Sequence, residues 1–210
     1  MIRKLTKEDY TVSGWSGGKT VQVAIGPEGA VYADRTFLWR VSSATVELAE
    51  SDYTALPDYR RFITPLSGQM ILSHNGGEEY DVEPFEVYEF DGADSTHCRG
   101  VCTDFNLMLR KGKAGGAMSV LEPDGENSIL IYPVGPGQTI VLFAAEGTAR
   151  LVKPEDEEAG TARETVAEIG EGEAVILTEE DTETLLEADG EPVLIACNIE
   201  LFQETEREDG

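Results

Sequence analysis

The chain has 210 residues, of which 41 are Asp or Glu and 16 are Lys or Arg, for a net charge of -25. A field of that sign repels nucleic acid and anionic lipid, whose binding relies on clustered cations, so neither is an expected partner. No run of about 18 apolar residues exists and the N-terminus is polar, which points to a cytoplasmic protein, while three cysteines do not describe a secreted disulfide framework.

The charge is uneven. Residues 1 to 115 hold 12 cations against 17 acids, about -5, whereas the remainder holds 4 against 24, or -20. A few placed arginines in the first half can therefore still bind a small anion at contact distance.

In chain order, the first distinctive segment is Trp15-Ser-Gly-Gly-Lys19-Thr20. It reads either as a turn entering a strand or as a glycine-lined approach to an anion, with Lys19 and Thr20 as contacts and Trp15 as an aromatic wall. Val21, Val23 and Ile25 then alternate as on a strand, and so do Phe37, Trp39 and Val41. On that second strand Arg40 and Ser42 share the opposite face, which makes them the pocket candidates and Trp39 a core residue. Arg60 and Arg61 follow Leu56-Pro57-Asp58-Tyr59, and whichever faces inward would hold a carboxylate through paired N–H donors.

From Val101 to Arg110 the odd positions are mostly apolar, while the even ones are Cys102, Asp104, Asn106, Met108 and Arg110. A solvated face of so acidic a chain would carry Glu and Lys. This mixture suits a half-buried pocket wall whose polar groups need partners, so Asp104, Asn106 and Met108 join the candidates. His97 lies on the strand face opposite Cys98 and Cys102.

Gly112-Lys-Ala-Gly-Gly-Ala117 is the expected boundary between a domain over residues 1–115 and an acidic one over 116–210. Beyond it, continuous apolar runs at 128–134, 139–144 and 174–178 suit strands buried on both faces, and Val193, Ile195, Cys197, Ile199 and Leu201 alternate. The acidic insert 153–158 reads as a solvated loop and 204–210 as a frayed tail. With roughly a dozen short strands and no long helix, the chain is expected to be all-β, built as two jelly-roll-like barrels.

Cupins share that architecture and hold a metal with three histidines and a glutamate. Only His74 and His97 are present, so no metal and no cofactor is expected. The chain resembles the HutD/Ves family of bicupin proteins through Trp15-Ser-Gly-Gly-Lys-Thr20, Phe37-Leu-Trp-Arg-Val-Ser-Ser-Ala44, Leu56-Pro-Asp-Tyr-Arg-Arg61, Thr64-Pro-Leu-Ser-Gly68, Phe90-Asp-Gly92 and Thr103-Asp-Phe-Asn-Leu-Met108. It departs where an Asn-Gly-Gly-Gly type sequence is usual. The resemblance implies two cupin barrels without the usual metal ligands, a role in bacterial histidine utilisation, and a bound formylglutamate-like or urocanate-like carboxylate.

The expected function is thus a non-enzymatic binding protein for a small anionic metabolite. The alternative is a metal-independent isomerase or hydrolase with Asp104 or His97 as general base. An acidic scaffold for a basic partner is a third reading, and a homodimer stays open.

Overall fold

The computed structural model describes residues 1–155, 160–180 and 183–203. Part of the acidic insert and the whole of 204–210 lie outside the described residues. The first half carries β1 (Ile2–Leu5), β2 (Thr11–Trp15), β3 (Gly18–Gly26), β4 (Trp39–Val46), β5 (Glu50–Asp52), β6 (Tyr59–Gly68), β7 (Met70–His74), β8 (Glu79–Val82), β9 (Tyr88–Asp91), β10 (Thr96–Arg99) and β11 (Cys102–Arg110). The second carries β12 (Ala114–Leu121), β13 (Ile129–Ile131), β14 (Val134–Glu146), β15 (Ala149–Lys153), β16 (Glu164–Ile169), β17 (Ala174–Glu180), β18 (Thr184–Glu187) and β19 (Val193–Leu201). A single 3-10 turn, Tyr32–Asp34, is the one helical element among the described residues.

Four antiparallel sheets result. In the first half, β2-β3-β4-β11-β6-β9 faces β5-β10-β7-β8; in the second, β1-β17-β14-β19-β12 faces β13-β18-β15-β16. Each half is a two-sheet, jelly-roll-like sandwich, and the fold is an all-β bicupin. One strand is exchanged: β1 pairs with β17, from Ile2 opposite Leu177 to Leu5 opposite Ala174, so the N-terminus completes the second half's sheet.

The two-residue period sorts β11. Phe105, Leu107 and Leu109 are fully buried on one face, in a cluster with Val141, Phe143, Ile195, Cys197 and Ile199 from the second half. Phe105 stacks on Phe143 with ring centroids 4.5 Å apart, which ties the halves together. The opposite face of β11 looks into the first sandwich and carries the polar residues. Trp39 is 8% exposed and belongs to the shared core.

The run at 128–134 is not one strand. It divides into β13 and the start of β14, because Tyr132 and Pro133 leave the ladder and proline has no N–H to give it. β19 is buried on both faces, since Leu194 and Ala196 fill a separate core within the second half.

Candidate functional site

Three neighbouring strands build the site row by row. Met108 on β11 stands between Arg40 on β4 and Arg61 on β6; Asn106 stands between Ser42 and Ile63; Asp104 stands between Ala44 and Pro65. Opposite residues of an antiparallel pair project to the same side, so two arginines, an amide and a carboxyl share one face. A cavity of about 260 Å³ opens over this face, and Trp15, Thr20, Tyr32, Asp52 and Tyr53 complete its rim and walls.

Both arginines are deeply placed, with Arg40 5% and Arg61 6% exposed. Arg40 donates from Nε to Gln22 Oε1 at 2.9 Å and from Nη1 to Ser42 Oγ at 3.1 Å. Its guanidinium lies 4.2 Å from the Tyr32 ring centre, and Arg35 lies 4.0 Å from the same ring. Arg61 donates from Nε and Nη2 to Asn106 Oδ1 at 3.4 and 3.2 Å and lies over the rings of Phe90 and Tyr53. Among the described residues neither arginine is ion-paired to a carboxylate at contact distance. Among the described residues, Nη2 of Arg40 and Nη1 of Arg61 are engaged by no hydrogen bond.

Burial pulls the pKa of Arg40 down to about 10, opposed by Tyr32 and deepened by like-charge repulsion from Arg61 and Arg35. Arg61 is lowered by burial too, opposed by Tyr53 and Asp104. Asp104 is 3% exposed, and burial pushes its carboxyl up to about 7. Arg61, the Asn106 amide and the Ala44 backbone N–H oppose that rise without cancelling it. Oδ1 of Asp104 is buried and has no hydrogen-bond partner among the described residues, and the Tyr53 hydroxyl is buried beside Cys98. Burial and the neighbouring Asp104 raise Tyr53 well above an ordinary phenol.

Of the ten candidate residues, Trp15, Thr20, Arg40, Ser42, Arg61, Asp104, Asn106 and Met108 line one cavity. Lys19 and Arg60 do not. Lys19 is exposed, because alternation on β3 turns it away when Thr20 faces in. Arg60 is on the outer face of β6 beside Arg61, ion-paired with Glu89 and lying over Phe62.

The glycine turn shapes the rim. A Cβ on Gly17 would lie 2.2 Å from the Trp15 ring, and one on Gly18 would lie 1.8 Å from the Thr45 carbonyl oxygen, at a φ of +150 that favours glycine. The turn lets Trp15 fold back over the cavity mouth, 39% exposed.

Sequence reasoning missed Tyr32, Tyr53 and Gln22. Gln22 shares the even face of β3 with Thr20, a signal obscured by the bulge between Gln22 and Ala24. Tyr32 and Tyr53 stand on connecting segments whose periodicity says nothing about direction.

Neither histidine enters the cavity. His97 Nδ1 meets Asp52 Oδ1 at 2.9 Å on the exposed rim, and that carboxylate raises its proton affinity. His74 stacks on Tyr88 and bonds the Thr96 hydroxyl at 3.0 Å, with burial lowering its proton affinity. Among the described residues no three His, Cys, Asp or Glu side chains converge, so this donor set does not fit a cupin metal.

A larger cavity of about 440 Å³ opens in the second half, walled by residues such as Leu121, Ile129, Ile140 and Leu142, with no cation in its lining. Among the described residues the buried charged side chains, Arg40, Arg61 and Asp104, are all in the first half.

The HutD family model matches residues 7–195. The chain belongs to the HutD family. Among solved structures, a conserved protein of unknown function from Pseudomonas aeruginosa PAO1 is 22% identical, with a TM-score of 0.78 over 95% of this chain and 99% of that one. HutD from Pseudomonas fluorescens SBW25, in a formate condition, is 18% identical with a TM-score of 0.73, over 97% of this chain and 100% of that one. A bacterial pirin, YhhW from Escherichia coli in complex with nickel(II), is 8% identical with a TM-score of 0.62, over 94% and 98%. These likenesses establish the bicupin fold, and the family places the chain among histidine-utilisation-associated cupin proteins. A search of curated proteins gives no match. No helix among the described residues is long and apolar enough to cross a membrane.

Proposed function

We propose that this HutD-family protein binds a small carboxylate metabolite and does not transform it. The observation that carries the reading is the pair Arg40 and Arg61, both buried, both without a carboxylate partner, on the wall of one cavity. Burying an unpaired charge costs several kcal/mol, and evolution of such a site is readily understood if a ligand supplies the counter-charge. Each guanidinium has a terminal nitrogen left to donate, a geometry suited to planar carboxylates. An aliphatic acid of the formylglutamate type would use both cations. An aromatic acid of the urocanate type would add stacking on Trp15 or Tyr32.

Titration calorimetry against histidine-pathway carboxylates tests the reading. Binding by the wild type that weakens at least tenfold in Arg40→Ala and Arg61→Ala is expected. No binding of any of them, or equal binding by the variants, refutes it. A catalytic reading draws support from one observation, the Asp104 carboxyl poised at about 7 in a cavity. Product formation followed by NMR, abolished in Asp104→Asn, would establish it over simple binding.

A further inference from the structure

The two halves repeat one plan. Strands β4 to β11 match β12 to β19 one for one: β4-β11-β6-β9 has its counterpart in β12-β19-β14-β17, and β5-β10-β7-β8 in β13-β18-β15-β16. The cavities correspond row by row. In the first, Asn106 stands between Ser42 and Ile63; in the second, Asn198 stands between Ala117 and Ile140. Two residues further along the same faces, the first half has Met108 between Arg40 and Arg61, whereas the second has Glu200 between Gly115 and Gln138. A pair of cations is replaced by a glycine, an amide and an acid.

The walls differ as well. β4 is covered in its sheet by β3 and β2, which bring Thr20 and Trp15 to the first cavity, but β12 ends its sheet with no strand beyond it. The second cavity is accordingly larger, about 440 Å³ against about 260 Å³, and falls within the roughly 300 to 1,000 Å³ of small-molecule sites. Buried Leu142 and Ala196 and half-buried Ile140 form an apolar floor, and the exposed Tyr132 belongs to the same lining. Glu200 is the one charged residue in the lining; it is exposed, and among the described residues it has no ion-pair partner. Lys113, exposed and outside the lining, falls opposite Phe202 in the next row out.

We infer that the second-half cavity binds a small organic cation, an ammonium group on an apolar body, with the ammonium at the mouth on Glu200 and the body over Ile140 and Leu142. An ammonium N–H donates to the Glu200 carboxylate in a charge-assisted bond, and the Tyr132 ring offers its face to the same charge. The apolar floor takes the body out of water. The -20 carried by residues 116 to 210 raises the local concentration of cations around the mouth and opposes anions. One chain thus holds two cavities of the same plan and opposite charge preference.

Calorimetry of the full chain at pH 7.5 with hexylammonium, hexanamide and methylammonium separates head group from body. Hexylammonium is expected to bind at one site at least about tenfold more tightly than the neutral hexanamide, and methylammonium, which has the charge without the body, to give no saturable heat. Glu200→Gln loses the preference for hexylammonium, keeps the wild-type affinity for hexanamide, and leaves carboxylate binding in the first half unchanged. Equal affinities of hexylammonium and hexanamide for the wild type overturn the proposal, as does a preference that survives Glu200→Gln, since the charge is then read elsewhere. Methylammonium binding as tightly as hexylammonium overturns it too, because the acidic surface then only gathers counterions. Absence of heat with both six-carbon ligands leaves the cavity without this function and overturns the proposal outright.

Discussion

Replacing Arg40 with methionine separates a residue kept for a ligand from one kept for the fold. Burial holds Arg40 at about 10, well below an ordinary guanidinium, so keeping its charge costs the empty protein on the order of 3 kcal/mol. Against this stand two side-chain hydrogen bonds, to Gln22 and Ser42, at about 1 kcal/mol each, and the Tyr32 ring face at about 0.5 to 1 kcal/mol. The terms nearly cancel. Arg40→Met is therefore expected to unfold in urea within about 1 kcal/mol of the wild type, or slightly later. Carboxylate affinity, by contrast, should fall by about 2 to 3 kcal/mol, roughly 30- to 150-fold, because a charge-assisted bond is lost. A variant destabilised by more than about 2 kcal/mol that still binds at wild-type affinity would show that Arg40 is a structural strut and refute the ledger.

Asp104 gives a pH test of the empty protein. Unfolded, it ionises near pH 4; folded, only at about 7, so between those values the native state holds a proton that the unfolded chain has released. Stability contributed by this group is present below about pH 4, falls as pH rises through the window, and is fully lost above 7. Wild type and Asp104→Asn should therefore diverge by at most on the order of 4 kcal/mol between pH 4 and pH 8 in denaturant titrations, and parallel curves would contradict the buried placement. Phe105→Ala removes a fully buried ring stacked on Phe143 and should cost about 3 to 5 kcal/mol in urea, a loss under 1 kcal/mol being incompatible with a shared core. Trp15 lies at the cavity mouth while Trp39 is in the core, so carboxylate binding should change tryptophan emission in the wild type and not in Trp15→Phe. Gly17→Ala should shift the same emission without ligand, since its Cβ occupies the space of the Trp15 ring; an unchanged spectrum would count against the folded-back indole.

Much of the site was legible because alternation is a strong local rule. On β11 it separated Asp104, Asn106 and Met108 from Phe105, Leu107 and Leu109 before any partner strand was known. Alternation alone does not say which parity faces inward where both neighbours are polar. Lys19 against Thr20 and Arg60 against Arg61 were decided by pairing with β4 and β11, which is tertiary information. Tyr32 and Tyr53 reach the cavity from connecting segments, where no period exists to read. The all-β class was plain from short segments bounded by glycine and proline, but the run at 128–134 needed the proline rule applied within it. The placement of β1 left the least trace, since four residues of mixed polarity carry no sign of a partner beyond residue 170.

That exchanged strand makes the order of synthesis the reverse of the order of pairing. Ile2 leaves the ribosome before Leu177 opposite it, which is made about 175 residues later, roughly 10 to 35 s at ordinary elongation rates. Until then the second half has an open edge on β17 and the N-terminus has nowhere to dock. Closing the protein is thus a late, long-range event. A bulky fusion at the first residue would hinder the last step of assembly while leaving the first-half cavity untouched.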